Sequence, residues 1–263
     1  YGDIWLRDTG PLFLQSPHGL AAAGFRFNFW GGKYDLPGDA GVAAFVAGQT
    51  RTPLARHGWV LEGGALDCDG TGLVATTEQC LLNPNRNPAL SRADLEARLA
   101  RDLGFDKVLW LGEGLINDHT DGHVDNLARF VAPGVLALPR ATGADDPNAA
   151  IYADARARAE AFGVSVREVP SPGRVETAGR IEPASYMNFA ITTKLVAVPK
   201  AGAGSPASVS TLPNSPRSSA RTCRGARRRS AASGNPSRVP ISSPAISSSS
   251  TPLARNIPMR GFM

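Results

Sequence analysis

A strand, strand, helix, strand order recurs along this chain, with copies opening near residues 10, 59, 127 and 185. The second copy is the clearest. Trp59 to Leu66 reads as a strand, Asp67 to Gly72 as a turn and Leu73 to Thr77 as a second strand. Ser91 then stands as an N-cap with Asp94 as its capping-box acid. Leu95, Leu99 and Leu103 repeat on one helical face, and Gly104 stops the helix before a strand at Lys107 to Leu111. The third copy runs through Leu127 to Val131, a Pro133-Gly134 turn, Val135 to Leu138, a helix opened by Asp146-Pro147 and closed near Gly163, and Val164 to Val169. A looser first copy uses Pro11 to Leu14, Ala21 to Phe27 and a helical stretch near Ala40 to Ala47; the fourth opens with Tyr186 to Ile191 and Leu195 to Pro199. A unit of this kind cannot cover its own apolar face, so the copies must pack on one another.

Composition supports a real core, with 42% hydrophobic and 19% charged residues. The net charge of +5 would suit a nucleic-acid or membrane-surface binder, but its position argues otherwise. Residues 201–263 hold nine Arg and no acid, so residues 1–200 are mildly acidic. Fifteen Ser and eight Pro in the same tail bury too little apolar surface to offset chain entropy. The expected organisation is therefore one folded domain over 1–203 and a disordered tail over 204–263. The fourth copy also owes a helix soon after Pro199. Displaced by two bases and read with G/C-rich codons, the stretch from Ser210 to Pro216 becomes a helix start, so a frameshift near residue 204 is the favoured reading over a genuine basic tail or a low-complexity linker. Cys68, Cys80 and Cys223 are too few for a disulfide framework, which points to a reducing, cytoplasmic setting. No apolar run is long enough to span a membrane. The chain opens at Tyr1, without Met and already inside a motif, so a missing amino terminus is expected.

Polar clusters fall where the units meet. In Trp5-Leu6-Arg7-Asp8-Thr9-Gly10-Pro11, an indole and a carboxylate lie three residues apart and can offer a π-face and an anionic acceptor to one planar cation. An ordinary Arg7 to Asp8 ion pair over a core Trp5 is the plainer alternative. Asp118-His119-Thr120-Asp121-Gly122-His123-Val124-Asp125-Asn126 is the densest ionisable stretch. If extended backbone already covers His123 to Asp125, both side chains share a face, where an acid can hold a cation while an imidazole moves protons. His119 and His123 are spaced for a metal only on a helix, which Thr120-Asp121-Gly122 disfavours, so neither metal nor cofactor is expected and His119 is assigned to the periphery. Glu62 in Leu61-Glu62-Gly63-Gly64 can meet a cation where the backbone must approach closely, or cap a turn. Asn188 is a weaker candidate, and Asn83 to Pro88, with Arg86, reads as a structural loop.

Taken in order, these segments, with Phe27-Asn28-Phe29-Trp30-Gly31-Gly32-Lys33-Tyr34, Asn85-Arg86-Asn87-Pro88 and Ser185-Tyr186-Met187-Asn188-Phe189, resemble the agmatine deiminase and Porphyromonas-type peptidyl-arginine deiminase family. The resemblance implies a pentein-type α/β propeller of ββαβ units, here with three to four of its five. It implies hydrolysis of a guanidinium to a ureido group with loss of ammonia. Carried over by motif, Asp8 and Asp125 clamp the guanidinium, His123 is general acid and base, Asn188 places the substrate, and Trp5, Glu62 and Asp121 line the site. The family's nucleophile is a late cysteine in a Gly-rich segment that has no counterpart here, so the chain is expected to be inactive as written. The implied partner is a small guanidinium compound, agmatine ahead of peptidyl arginine, with no specific nucleic acid and a homo-oligomer open. A non-catalytic guanidine-binding module and a nucleic-acid binder acting through the Arg-rich tail are the readings from other classes.

Overall fold

The computed structural model describes residues 2–34, 36–191, 195–200 and 208–213. Three successive ββαβ units account for most of it. In the first, β1 (Leu12–Ser16) and β2 (Gly19–Arg26) form an antiparallel hairpin, and β3 (Leu54–Val60) returns parallel to β2 after α3 (Val42–Gln49). Two short segments flank this sheet, α1 (Leu6–Thr9) and α2 (Phe29–Gly32). The second unit is β4 (Asp67–Cys68), β5 (Leu73–Thr77), the short α4 (Glu78–Leu81), α5 (Arg92–Arg98) and β6 (Lys107–Leu111). The third is β7 (Arg129–Ala132), β8 (Val135–Arg140), α6 (Ala149–Phe162) and β9 (Ser165–Pro170). In every unit the first pair is antiparallel and joined by a tight turn, while the parallel return follows a helix, because a parallel neighbour needs a crossover connection.

The helical signals act as read. Ser91 Oγ accepts from the Asp94 N–H at 3.2 Å, and Asp94 Oδ2 accepts from the Ser91 N–H at 2.9 Å. Leu95, Leu99 and Leu103 are buried in one core with Leu14, Trp59, Leu66 and Val74. The turn from Leu99 to Leu103 widens to π-helical geometry before Gly104 ends it at φ +78°. A second core lies between β5, β6, β8 and α6, where Leu109, Leu136, Leu138, Tyr152, Ala155 and Ala159 meet. Each fully buried Leu contributes roughly 1.5–3 kcal/mol over its exposed state.

Three expectations are corrected. Trp59 to Leu66 is not a strand: Trp59 and Val60 finish β3, Gly63–Ala65 forms a 3₁₀ turn, and the second unit opens only at β4, inside the expected turn. Leu61, Ala65 and Leu66 are apolar because they are buried, not because they alternate in a sheet. His123 to Asp125 is not extended, since Val124–Asn126 is a 3₁₀ turn. The fourth unit also departs from the pattern: β12 (Ala190–Ile191), β13 (Leu195–Lys200) and β14 (Ser208–Pro213) are antiparallel throughout. A parallel return needs a connection of about a dozen residues or more, and β14 begins too soon after β13 in the sequence for that. β14 thus places ordered strand within a segment expected to be disordered; the rest of that expectation, beyond Pro213, lies outside the described residues. A small hairpin of β10 (Glu176–Thr177) and β11 (Arg180–Ile181) precedes this sheet, turning through Ala178 at φ +50° and Gly179 at φ +79°. Among the described residues, no helix is long and apolar enough to cross a membrane.

Candidate active site

A cavity of about 310 Å³ opens where α1, the α2 turn, the loop before β7 and the segment before β12 meet. Asp8, on α1, has both oxygens occupied. Oδ1 accepts from the Gly64 N–H at 2.9 Å and Oδ2 from Trp30 Nε1 at 3.1 Å. Trp30 reaches it through backbone that costs strain, since Phe29 and Trp30 sit at φ +59° and +54°. Asn28 Oδ1 steadies that turn by accepting from the Gly31 N–H at 3.0 Å.

Opposite Asp8, the loop 118–126 delivers His123 and Asp125. Asp118 organises it, accepting from the Thr120 N–H and Oγ1 at 2.9 and 2.7 Å and from Asn126 Nδ2 at 3.1 Å. His123 Nδ1 lies 3.6 Å from Asp8 Oδ1. Asp125 Oδ2 accepts from Asn188 Nδ2 at 3.2 Å and faces Arg7 Nε at 3.4 Å. Ser185 fixes the Asn188 segment, donating to the Asn126 carbonyl at 2.6 Å and accepting from the Met187 N–H at 2.9 Å.

At the centre is Gly64. A Cβ there would stand 2.4 Å from His123 Nδ1, 2.6 Å from Asp8 Oδ1 and 3.0 Å from Asp125 Oδ2, so only glycine lets the three groups converge. Its neighbour Gly63 would place a Cβ 2.1 Å from the Arg7 carbonyl, which locks the same turn against α1.

This crowding sets the proton affinities. Burial pushes the Asp125 carboxyl up, His123 opposes that, and the nearby Asp8 carboxylate adds to it, with a resulting pKa of about 6. Burial alone would lower the His123 pKa, but Asp8, Cys80 and Asp125 together raise it well above the ordinary imidazole value. A site with one readily protonated imidazole and one carboxylate titrating near neutrality can hold a cation and pass protons.

Of the residues singled out in the sequence, Trp5, Asp8, His123, Asp125 and Asn188 line the cavity. Glu62 and Asp121 do not. Glu62 is fully buried, its Oε1 accepting from Arg86 Nε at 2.7 Å. Asp121 accepts from Lys33 Nζ at 2.5 Å, Arg86 Nη1 at 2.6 Å and Asn85 Nδ2 at 2.9 Å. Burial raises its pKa, but these three donors outweigh burial and hold it low. Both acids serve the buried Arg86, which also donates to the Thr120 carbonyl at 2.8 Å and so ties the 85–87 loop under the site. His119, assigned to the periphery, lines the cavity with its ring edge-on to Trp30 and Tyr34 at 6.2 and 6.0 Å. Trp30 and Arg7 were missed as site residues, although both stand inside quoted motifs.

Repeated ββαβ units bring two carboxylates and an imidazole around one glycine in this α/β protein. The chain belongs to the Porphyromonas-type peptidyl-arginine deiminase family, whose profile matches residues 1–208. Agmatine deiminase of Stutzerimonas stutzeri is 40% identical over 231 residues, which cover 76% of this chain and 63% of that protein. Agmatine deiminase of Enterococcus faecalis aligns in three dimensions with a TM-score of 0.69 and 34% identity, over 74% of this chain and 62% of the other. The C. jejuni agmatine deiminase, solved with substrate bound, also gives a TM-score of 0.69, at 29% identity over 74% of this chain and 60% of its own. The chain therefore spans just under two thirds of these relatives.

Proposed function

We propose that this cavity binds the guanidinium group of agmatine and supplies the acid–base half of its hydrolysis to N-carbamoylputrescine and ammonia. The carrying observation is the convergence on Gly64 of Asp8 from α1 with His123 and Asp125 from the loop 118–126. In this reading Asp8 and Asp125 take the guanidinium N–H groups through charge-assisted hydrogen bonds, and the Trp5 indole flanks the cation at the mouth. Asn188 keeps Asp125 oriented. Glu62 and Asp121 are support residues acting through Arg86.

The reaction runs in two halves. A thiolate bonds to the guanidinium carbon, and the C–N bond breaks as His123 gives a proton to the departing ammonia. Water, losing a proton to His123, then adds to the amidino carbon, and the C–S bond breaks to return the thiolate and leave the ureido product. Among the described residues no cysteine lines the cavity. Cys80 is fully buried, and burial pushes its thiol pKa up, the opposite of an activated nucleophile. In this reading the described residues supply cation binding and proton transfer but not the nucleophile.

The family description and the exposed apolar side chains of Ile4, Trp5 and Leu6 at the mouth favour a second reading, arginine within a peptide. The ββαβ repeats and the relatives support closure of the units into a pentein-type propeller, and a free small-molecule substrate fits a cytoplasmic setting. Incubation with agmatine, read by a colorimetric assay for ureido product, should give none. Product formed by a variant with all three cysteines changed to Ala would overturn the missing-nucleophile assignment, and tighter binding of an arginyl peptide than of agmatine would favour the second reading.

A further inference from the structure

Glu62 and Cys80, neither of which lines the cavity, come together with His123, which does. One ligand atom each of Glu62, Cys80 and His123 lies within 4.8 Å of the other two, and all three residues are buried. Glu62 Oε2 and His123 Nε2 find no hydrogen-bond partner within the protein, although each such buried atom costs about 1–3 kcal/mol when unpaired. Cys80 is a free thiol.

We infer that Glu62, Cys80 and His123 form a binding site for one borderline-soft divalent transition-metal ion, zinc by preference. Thiolate, imidazole and carboxylate are the ligands of three-residue zinc sites, and a thiolate in the set disfavours magnesium and calcium. Their outer partners are also in place. Arg86 Nε holds Glu62 Oε1 at 2.7 Å, which leaves Oε2 as the ligand atom. Asp8 Oδ1, 3.6 Å from His123 Nδ1, occupies the position of the carboxylate that orients a metal-bound histidine and leaves Nε2 for the ion.

Bond lengths near 2.0–2.3 Å place tetrahedral ligand atoms roughly 3.3–3.6 Å apart, so atoms already within 4.8 Å of one another need to close by at most about 1.5 Å on loading. On binding, the Cys80 S–H bond breaks, sulfur bonds to the ion and the proton leaves to solvent. The ion would set two positive charges against the wall of the cavity and commit His123, so it would oppose cation binding. That consequence rests on the guanidinium reading, whereas the site itself does not.

The test is spectroscopic and uses the full chain, stripped with chelator and titrated with Co²⁺. One equivalent should raise a thiolate-to-cobalt charge-transfer band and tetrahedral visible bands, and Zn²⁺ should bleach them. Cys80→Ser should abolish the charge-transfer band, which separates Cys80 from Cys68 and Cys223. Glu62→Gln should keep the band and weaken Co²⁺ at least tenfold, and it decides the matter if Cys80→Ser fails to fold. A native chain without the band, a folded Cys80→Ser that retains it, or a Glu62→Gln that binds Co²⁺ as tightly as the native chain would each overturn the assignment.

Discussion

Replacing Gly64 with Ala isolates the geometry on which the site depends. Gly64 is not in the left-handed region, so the backbone there accepts an L side chain, and the change alone would stabilise by about 0.4–1 kcal/mol through the unfolded state. Against this, the new methyl meets His123 Nδ1 at 2.4 Å and Asp8 Oδ1 at 2.6 Å, and neither group can retreat easily from a buried position. Overpacking of this kind costs about 1–3 kcal/mol, which leaves a net loss of about 1–2 kcal/mol. For a folded region of this size that lowers Tm by about 2–8 °C, a folded protein still. Ligand binding should suffer far more, because the methyl displaces the groups that must meet one flat cation. Agmatine affinity should fall at least a hundredfold by calorimetry. Gly48→Ala, in α3 with open space around its Cβ, is the control: Tm should hold or rise and affinity stay the same. A folded Gly64→Ala protein that binds agmatine within threefold of the native chain would refute the convergence argument.

Proton linkage gives a second expectation. Asp125 must be ionised to hold a cation, and its pKa in the free protein is raised to about 6. Agmatine affinity should therefore be level above pH 7, decline through pH 6 and be about tenfold weaker at pH 5; calorimetry from pH 5 to 8 that shows no such decline would contradict the assignment. Arg86→Ala leaves the Glu62 carboxylate fully buried without its cation and should cost about 3–5 kcal/mol in urea unfolding. A loss under 1 kcal/mol would mean that the Arg86 network does not hold the loops. Coding DNA across residues 195–263, read in all three frames, should reveal a Gly-rich His-Cys segment in another frame, and its absence from every frame would remove the frameshift reading.

Much of the scaffold was legible because local chemistry and tertiary packing agree there. Ser91, Asp94 and Gly104 bound a helix whose Leu95, Leu99 and Leu103 also face the core, so propensity, capping and burial give one answer. Trp59 to Leu66 failed because a run buried on all sides carries no periodicity and cannot be told from a strand. His123 and Asp125 were paired for a wrong reason: a 3₁₀ turn, not strand alternation, aims both into the cavity. Glu62 and Asp121 stand outside the cavity lining because a motif shows which acids gather near a site, not whether a buried Arg86 has already taken them. The role of Trp30 depends on positive φ at two non-glycine residues, which no propensity scale anticipates.

If two acids and one imidazole hold a guanidinium, titration of agmatine into the native chain, Asp8→Asn and Asp125→Asn reads that grip as heat. The native protein should show one site, and each variant should lose at least tenfold in affinity, since a charge-assisted hydrogen bond contributes about 1.5–3 kcal/mol. A folded native chain that gives no heat of binding, or variants that bind as tightly as it does, would mean that Asp8 and Asp125 hold no guanidinium.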